Sequence, residues 1–283
     1  MEKMKRSQRV AFITRTLSDS PGRMFSLGYF ADTLNSAKST VSEDISIIRD
    51  VLAQTGQGIV QTFPGAAGGV MFRPWVGQDK ALEIAERLRG LLMQPDRLLA
   101  GGYIYMTDVI FSPVWSQELG GVFARCFEHT SPQYVVTMET KGIPMALMTA
   151  RALGVPLVIL RREARVTEGS SVSINYVSGS TGRIQTMSLP RRAMREGARV
   201  VFIDDFMKAG GTARGVRDIV AEFSGRVVGT GVLLATVEPE NKMVEDFLPL
   251  LTLSVEEPPT PGMRLTLASK LRQALAEPGE ADG

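Results

Sequence analysis

The segment Val200-Val201-Phe202-Ile203-Asp204-Asp205-Phe206-Met207-Lys208-Ala209-Gly210-Gly211-Thr212 sets the fold class. Its four leading apolar residues suit a strand buried on both faces, which is the habit of parallel sheets. Two carboxylates follow. Gly210 and Gly211 then allow the backbone to approach a ligand without a Cβ in the way. Thr212 opens a helical pattern that runs to Phe223. A loop entering a helix presents backbone N–H groups and the positive end of the helix dipole, so this passage is built for an anion. Asp204 and Asp205 can grip ribose hydroxyls or organise Mg²⁺, which prefers oxygen ligands. Open α/β sheets bind ligands at this place, beyond the carboxyl end of a strand. The plainer alternative is an acidic turn before a helix.

Outward from this segment, strand and helix patterns alternate. Strands are expected over 103–111, 134–138, 157–160, 200–203 and 227–235. Helices are expected over 79–94, 114–127, 143–153 and 212–223. Strands joined by helices of this length imply right-handed crossovers and a parallel sheet, hence an α/β domain. Val135 to Pro144 forms a second strand–loop–helix, with Gly142 opening its helix. Residues 161–190 break the alternation and read as a long hairpin, with turn chemistry at 178–183. Residues 161–199 carry eight arginines against three glutamates, and arginine suits bidentate phosphate contacts. Arg264 to Ala276 shows a short helical pattern.

Residues 1–74 have a different rhythm. Helical spacing covers 7–18. Ser26 is a plausible cap for a helix over Leu27 to Leu34, and Ser39 for one over Thr40 to Ala53. Ile59 to Phe63 and Val70 to Arg73 read as two strands around the turn Pro64 to Gly69. Helix, helix, turn, helix and ribbon is the order of a winged helix. In such a module the second helix of the helix-turn-helix enters the major groove. Lys38, Ser39, Thr40 and Ser42 would then face base edges or phosphates, with Arg6, Arg9, Arg15 and Arg73 on the backbone. Glu43 and Asp44 count against this, because they repel phosphate. A winged helix used only for dimer contacts remains the alternative. Residues 1–74 hold nine Lys/Arg and six Asp/Glu, the remainder 23 and 24, so the excess positive charge lies in the N-terminal segment. The domains are accordingly expected at 1–74 and 75–283.

The totals exclude several classes. The only cysteine is Cys126 and the only histidine is His129. They allow no internal disulfide and no closed zinc site, so no metal site is expected. The apolar runs are far shorter than the roughly 18 residues of a membrane span. The basic start lacks the apolar core of a signal peptide, so a cytoplasmic protein with no membrane partner is expected.

The acid pair and its Gly-Gly-Thr loop resemble the phosphoribosyl pyrophosphate motif of type I phosphoribosyltransferases. By that resemblance the ligand contacts are Asp204, Asp205, Phe206, Met207, Lys208, Ala209, Gly210, Gly211 and Thr212. Thr140, Lys141 and Gly142 would hold pyrophosphate, and Tyr103 would add to the site. Many family members carry Asp or Ala where this chain has Lys208. A cation pointing inward there would strengthen polyphosphate binding and oppose positive charge developing at the ribose C1. No insertion for a base-binding hood is evident.

Ser36-Ala37-Lys38-Ser39-Thr40-Val41-Ser42-Glu43-Asp44-Ile45 is similar to the start of recognition helices in winged-helix repressors. The whole chain resembles the purine-operon repressor family of Gram-positive bacteria. That resemblance implies a homodimer on double-stranded operator DNA and no transferase activity. It also implies release by phosphoribosyl pyrophosphate, with or without Mg²⁺, and guanosine tetraphosphate as a competitor for the same pocket. Two other readings stay open: an active purine phosphoribosyltransferase with an appended helical module, and an RNA-binding attenuation protein on the same fold.

Overall fold

A computed structural model describes residues 4–65, 68–99, 103–163, 167, 169–177, 182–255 and 263–276. The chain divides into two compact units, one built on residues up to Gly77 and the other on Gln78–Ala150 and Val155 onward. The boundary thus falls three residues beyond the expected Pro74.

In the first unit, α1 spans Arg6–Asp19, α2 Leu27–Thr33 and α3 Lys38–Gln54. Strand β1 is Met24–Phe25, β2 Ile59–Phe63 and β3 Gly69–Arg73. They form an antiparallel sheet in the order β1-β3-β2. Strand β1 is too short to carry a period and was not read from the sequence. Ile13, Leu17, Phe30, Val41, Ile45 and Ile48 form a closed core with Val60, Val70 and Phe72. Each such side chain contributes roughly 1.5–3 kcal/mol by leaving water. Ser26 caps α2 as expected, its Oγ accepting from Tyr29 N at 3.0 Å. Ser39 does not cap α3. The helix starts at Lys38, and Ala37, at the cap position, offers no side-chain acceptor.

In the second unit, α4 is Gln78–Leu92, β4 Leu98–Leu99, β5 Tyr103–Ile104, α5 Thr107–Ile110 and α6 Pro113–Phe127. The expected strand 103–111 is therefore only two residues long before a helical turn begins. The reason is local. Arg97 holds both oxygens of Asp108, at 2.9 and 2.7 Å, and also donates to Tyr105 O at 3.1 Å. This folds the segment back on itself. Next come β6 Tyr134–Met138, α7 Ile143–Leu153, β7 Leu157–Leu160 and the hairpin β8 Ser171–Val177 with β9 Ile184–Pro190. The chain continues with β10 Arg199–Met207, α8 Gly211–Ala221, β11 Arg226–Thr236, β12 Leu248–Val255, β13 Met263–Leu267 and α9 Leu271–Leu275.

Among the described residues the main sheet has the order β13-β12-β11-β10-β6-β7. All its pairs are parallel except β12 with β13. Residues 264–267, expected to be helical, thus belong to a strand, and of the expected helix only Leu271–Leu275 is helical. Cross-strand pairing with β12 overrides a weak helical period. Strand β10 also outruns its expected end at Ile203. It pairs with β11 as far as Met207 opposite Ala235, so Asp204 and Asp205 sit on the sheet and not in the loop.

Candidate functional site

The second unit carries a cleft of about 580 Å³ where β6 and β10 end. It brings together Tyr103, Thr140, Lys141, Asp204, Asp205, Phe206 and Thr212, which the sequence singles out from three separate stretches. A smaller pocket of about 60 Å³ lies under the loop into α8, touching Met207, Lys208, Gly210 and Gly211 as well as Asp204 and Thr212. Gly210 has φ +81°, a conformation that L side chains rarely adopt, and it leads directly into α8. Gly142 has a different reason. A Cβ there would stand 2.3 Å from Thr137 Oγ1 and 3.1 Å from Asp204 Oδ1. Thr137 Oγ1 in turn donates to Ile203 O at 2.7 Å, locking β6 to β10 behind the acids. Gly142 therefore shapes the floor, and neither it nor Ala209 is among the residues lining either pocket. Met207 turns its side chain into the core. Lys208 is exposed, and its carbonyl accepts from Lys242 Nζ at 2.6 Å.

The acid pair is electrostatically tense. Burial pushes the Asp204 carboxyl well above the usual aspartate range, and the neighbouring Asp205 charge adds to the shift. Asp204 Oδ1 accepts from the Asp205 backbone N–H at 2.9 Å, which opposes it only in part. Burial raises Asp205 too, while its hydrogen bond to Asp204 and the Lys141 ammonium hold it down. A cation or a set of hydroxyl donors would relieve both groups. Two carboxylates with a polyphosphate also fit Mg²⁺, which commonly takes one or two carboxylates and completes its shell with phosphate oxygens and water.

Sequence reasoning missed four polar residues of this cleft: Glu139, Arg162, Tyr176 and Gln185. Arg162 belongs to the arginine-rich stretch, but nothing in the sequence separates it from its seven companions. Tyr176 and Gln185 come from facing strands of the hairpin, Tyr176 Oη donating to Gln185 Oε1 at 2.9 Å. Burial raises the Tyr176 phenol, against a hydrogen bond with Thr212. Glu139 Oε1 accepts from Arg162 N at 2.8 Å, and its Oε2 accepts from Arg161 Nη1 at 3.4 Å. Arg161 also makes a two-bond bridge with Ser188 of β9. The expected turn at 178–183 lies mostly outside the described residues, as does Arg165.

In the first unit, Lys38, Ser39 and Ser42 are exposed on α3, and Thr40 is half-buried. Arg73 is half-buried at the end of β3, opposite Ile59. Arg15 pairs with Asp19 at 2.6 Å on an exposed face. Arg9 corrects the sequence reading. It is 8% exposed and spends its guanidinium on Asp44, at 2.7 and 3.3 Å, and on Met4 O. It is an internal strut between α1 and α3 and does not face a phosphate. Arg6 reaches Asp44 at 3.3 Å and Glu43 at 3.5 Å, with its side chain still 56% exposed. The same contacts remove the objection raised by Asp44, whereas Glu43 stays exposed beside Arg6. Asp44 is fully buried and neutralised, so its charge does not confront an approaching polyanion.

Comparison with known proteins covers both units. Residues 5–74 match the family model "Bacterial purine repressor, N-terminal", and residues 112–256 match "Phosphoribosyl transferase domain". The chain is 45% identical over 252 residues to the purine biosynthesis transcriptional repressor PurR of Bacillus subtilis, covering 89% of this chain and 88% of that one. It is 37% identical over 248 residues to the purine biosynthesis transcriptional activator PurR of Lactococcus lactis, covering 88% and 92%. Among solved structures, an adenine phosphoribosyltransferase from Thermoanaerobacter pseudethanolicus aligns with a TM-score of 0.51 at 21% identity, covering 59% of this chain and 98% of that one. This last likeness shows the fold of the second unit.

Proposed function

The chain belongs to the bacterial purine repressor family, and from that premise we propose that it is a DNA-binding regulator of purine biosynthesis genes whose second unit senses phosphoribosyl pyrophosphate without consuming it. One observation carries the reading. A winged-helix unit with an exposed recognition helix shares its chain with a cleft whose Asp204, Asp205, Lys141 and Thr212 suit a sugar polyphosphate. Asp204 and Asp205 would take the ribose hydroxyls, Thr140 and Lys141 the pyrophosphate, and the N-terminus of α8 with Thr212 the 5′-phosphate.

Binding alone is not catalysis. Lys208 supports a sensor: the transferases this loop resembles carry Asp or Ala at that position, whereas a lysine brings positive charge to the loop, which favours a bound polyphosphate over a developing cation. The unit acts as a homodimer on operator DNA in this reading, and guanosine tetraphosphate competes for the cleft. Effector and DNA are coupled by linkage: a ligand that prefers the DNA-free state weakens DNA binding by the same factor, typically 1–3 kcal/mol.

The test is a gel-shift titration on DNA upstream of purine genes, with and without phosphoribosyl pyrophosphate and Mg²⁺. The expected outcome is a shifted band that weakens as effector is added. Retention of the band at millimolar effector would refute effector-driven release. Pyrophosphate release at an enzymatic rate, when a purine base is also supplied, would establish the transferase reading instead.

A further inference from the structure

We propose that the groove between α3 and the wing, the β2–β3 ribbon, is a seat for the sugar–phosphate backbone of one DNA strand, and that Arg49 and Ser46 belong to it. This rests on the DNA-binding reading above and gives it a residue-level geometry. The groove has a volume of about 800 Å³ and lies wholly within the first unit. Lys38, Ser42, Ser46 and Arg49 line it from successive turns of α3, and Thr62 with Phe63 faces them from the ribbon.

Its chemistry suits phosphate. Two cations and several hydroxyls line it, and no carboxylate is among the described lining residues. Short hydroxyls and cations are the usual partners of phosphate oxygens, whereas bidentate base readers are long amides or guanidiniums. The guanidinium of Arg49 is not free to swing to a base edge. Its Nε donates to Val60 O at 3.2 Å and its Nη2 to Thr62 Oγ1 at 3.1 Å. These bonds use two of its five N–H groups and hold the planar fork at the groove wall. The wing residues Phe63, Pro64 and Gly65 carry no charge, so the positive potential of the groove comes from α3. Every groove of a duplex is bounded by backbone. A duplex that takes α3 into its major groove, with the wing alongside, must therefore pass one strand through the gap between them.

The experiment measures binding of the full chain to a labelled operator duplex and to a scrambled duplex of the same length, across a range of salt concentrations. Arg49→Ala is expected to weaken both by the same factor, about tenfold, and to reduce the slope of log K against log salt by about one. Arg49→Lys should retain the slope, and Ser46→Ala should weaken both duplexes by a few-fold. A loss confined to the operator duplex, or an unchanged slope in Arg49→Ala, would overturn the proposal. Thermal unfolding checks that the variants fold. Phosphate ethylation interference on the unmodified protein needs no variant: blocked phosphates on the one strand that borders the major groove holding α3 are expected, and their absence would be fatal. If the unmodified chain binds neither duplex, the DNA-binding reading itself fails, which is a different result from binding that ignores Arg49.

Discussion

Each unit of this protein contains two adjacent carboxylates, and the two pairs are used in opposite ways. Glu43-Asp44 sits in the middle of a helix. Asp44 is turned inward and met by Arg9 and Arg6, so its charge is spent inside the fold. Asp204-Asp205 sits at the end of a strand, open to a cleft, with Lys141 as the cation that bears on it. Burial, and after it the neighbouring Asp205 charge, push the Asp204 carboxyl well above the ordinary aspartate range. An acid pair answered by arginine is architecture. One that lines a cleft with a single lysine bearing on it suits a ligand that brings hydroxyl donors or further positive charge.

The sharpest way to break this contrast is Asp44→Ala. It strands Arg9 in the core without its partner, and the first unit should lose about 3–5 kcal/mol. Denaturant melts would show this, and a loss below about 1 kcal/mol would mean that Asp44 is not a strut. The corresponding change in the second unit should act in the other direction on stability. Asp204→Asn removes a repelled charge, so the fold should hold or gain stability. Affinity for phosphoribosyl pyrophosphate should nevertheless fall by about 1.5–3 kcal/mol, the worth of hydrogen bonds to a charged group. Titration calorimetry beside a thermal melt reads both effects, and the contrast collapses if they move together.

The pH dependence is the finest test. The pKa of Asp204 in the free fold is raised, so its stabilising protonation is present at low pH and lost as pH climbs through that value. A ligand that needs both carboxylates ionised must expel the proton. Its affinity should therefore increase with pH above the ordinary aspartate range, by at most tenfold per unit for one proton, and level off once Asp204 ionises unaided. Calorimetry in two buffers of different ionisation enthalpy counts the released proton. A flat profile would show that the acid is not displaced.

Much of this was legible in the sequence where spacing alone carries the information. The strand–acid–glycine passage, the helix periods of the first unit and the Ser26 cap all depend on neighbours a few positions away. What the sequence concealed depends on distant partners. The period of 264–267 looks helical, and only β12 alongside makes it a strand. Asp204 and Asp205 look like loop residues until β11 is seen to pair past them. Arg9 looks like a phosphate contact, because its partner lies 35 residues away on another helix. Tyr176 and Gln185 reach the cleft only because the hairpin folds over it.

Glu139 gives that hairpin a further significance. A single carboxylate sits at the root of the Thr140–Gly142 loop and grips the first residues leading into the hairpin, while Arg161 fastens the same residues to β9. The arrangement works like a drawstring threaded through two hems. Glu139 thus ties the strand end that carries the cleft loop to the residues that lead toward its hairpin cover.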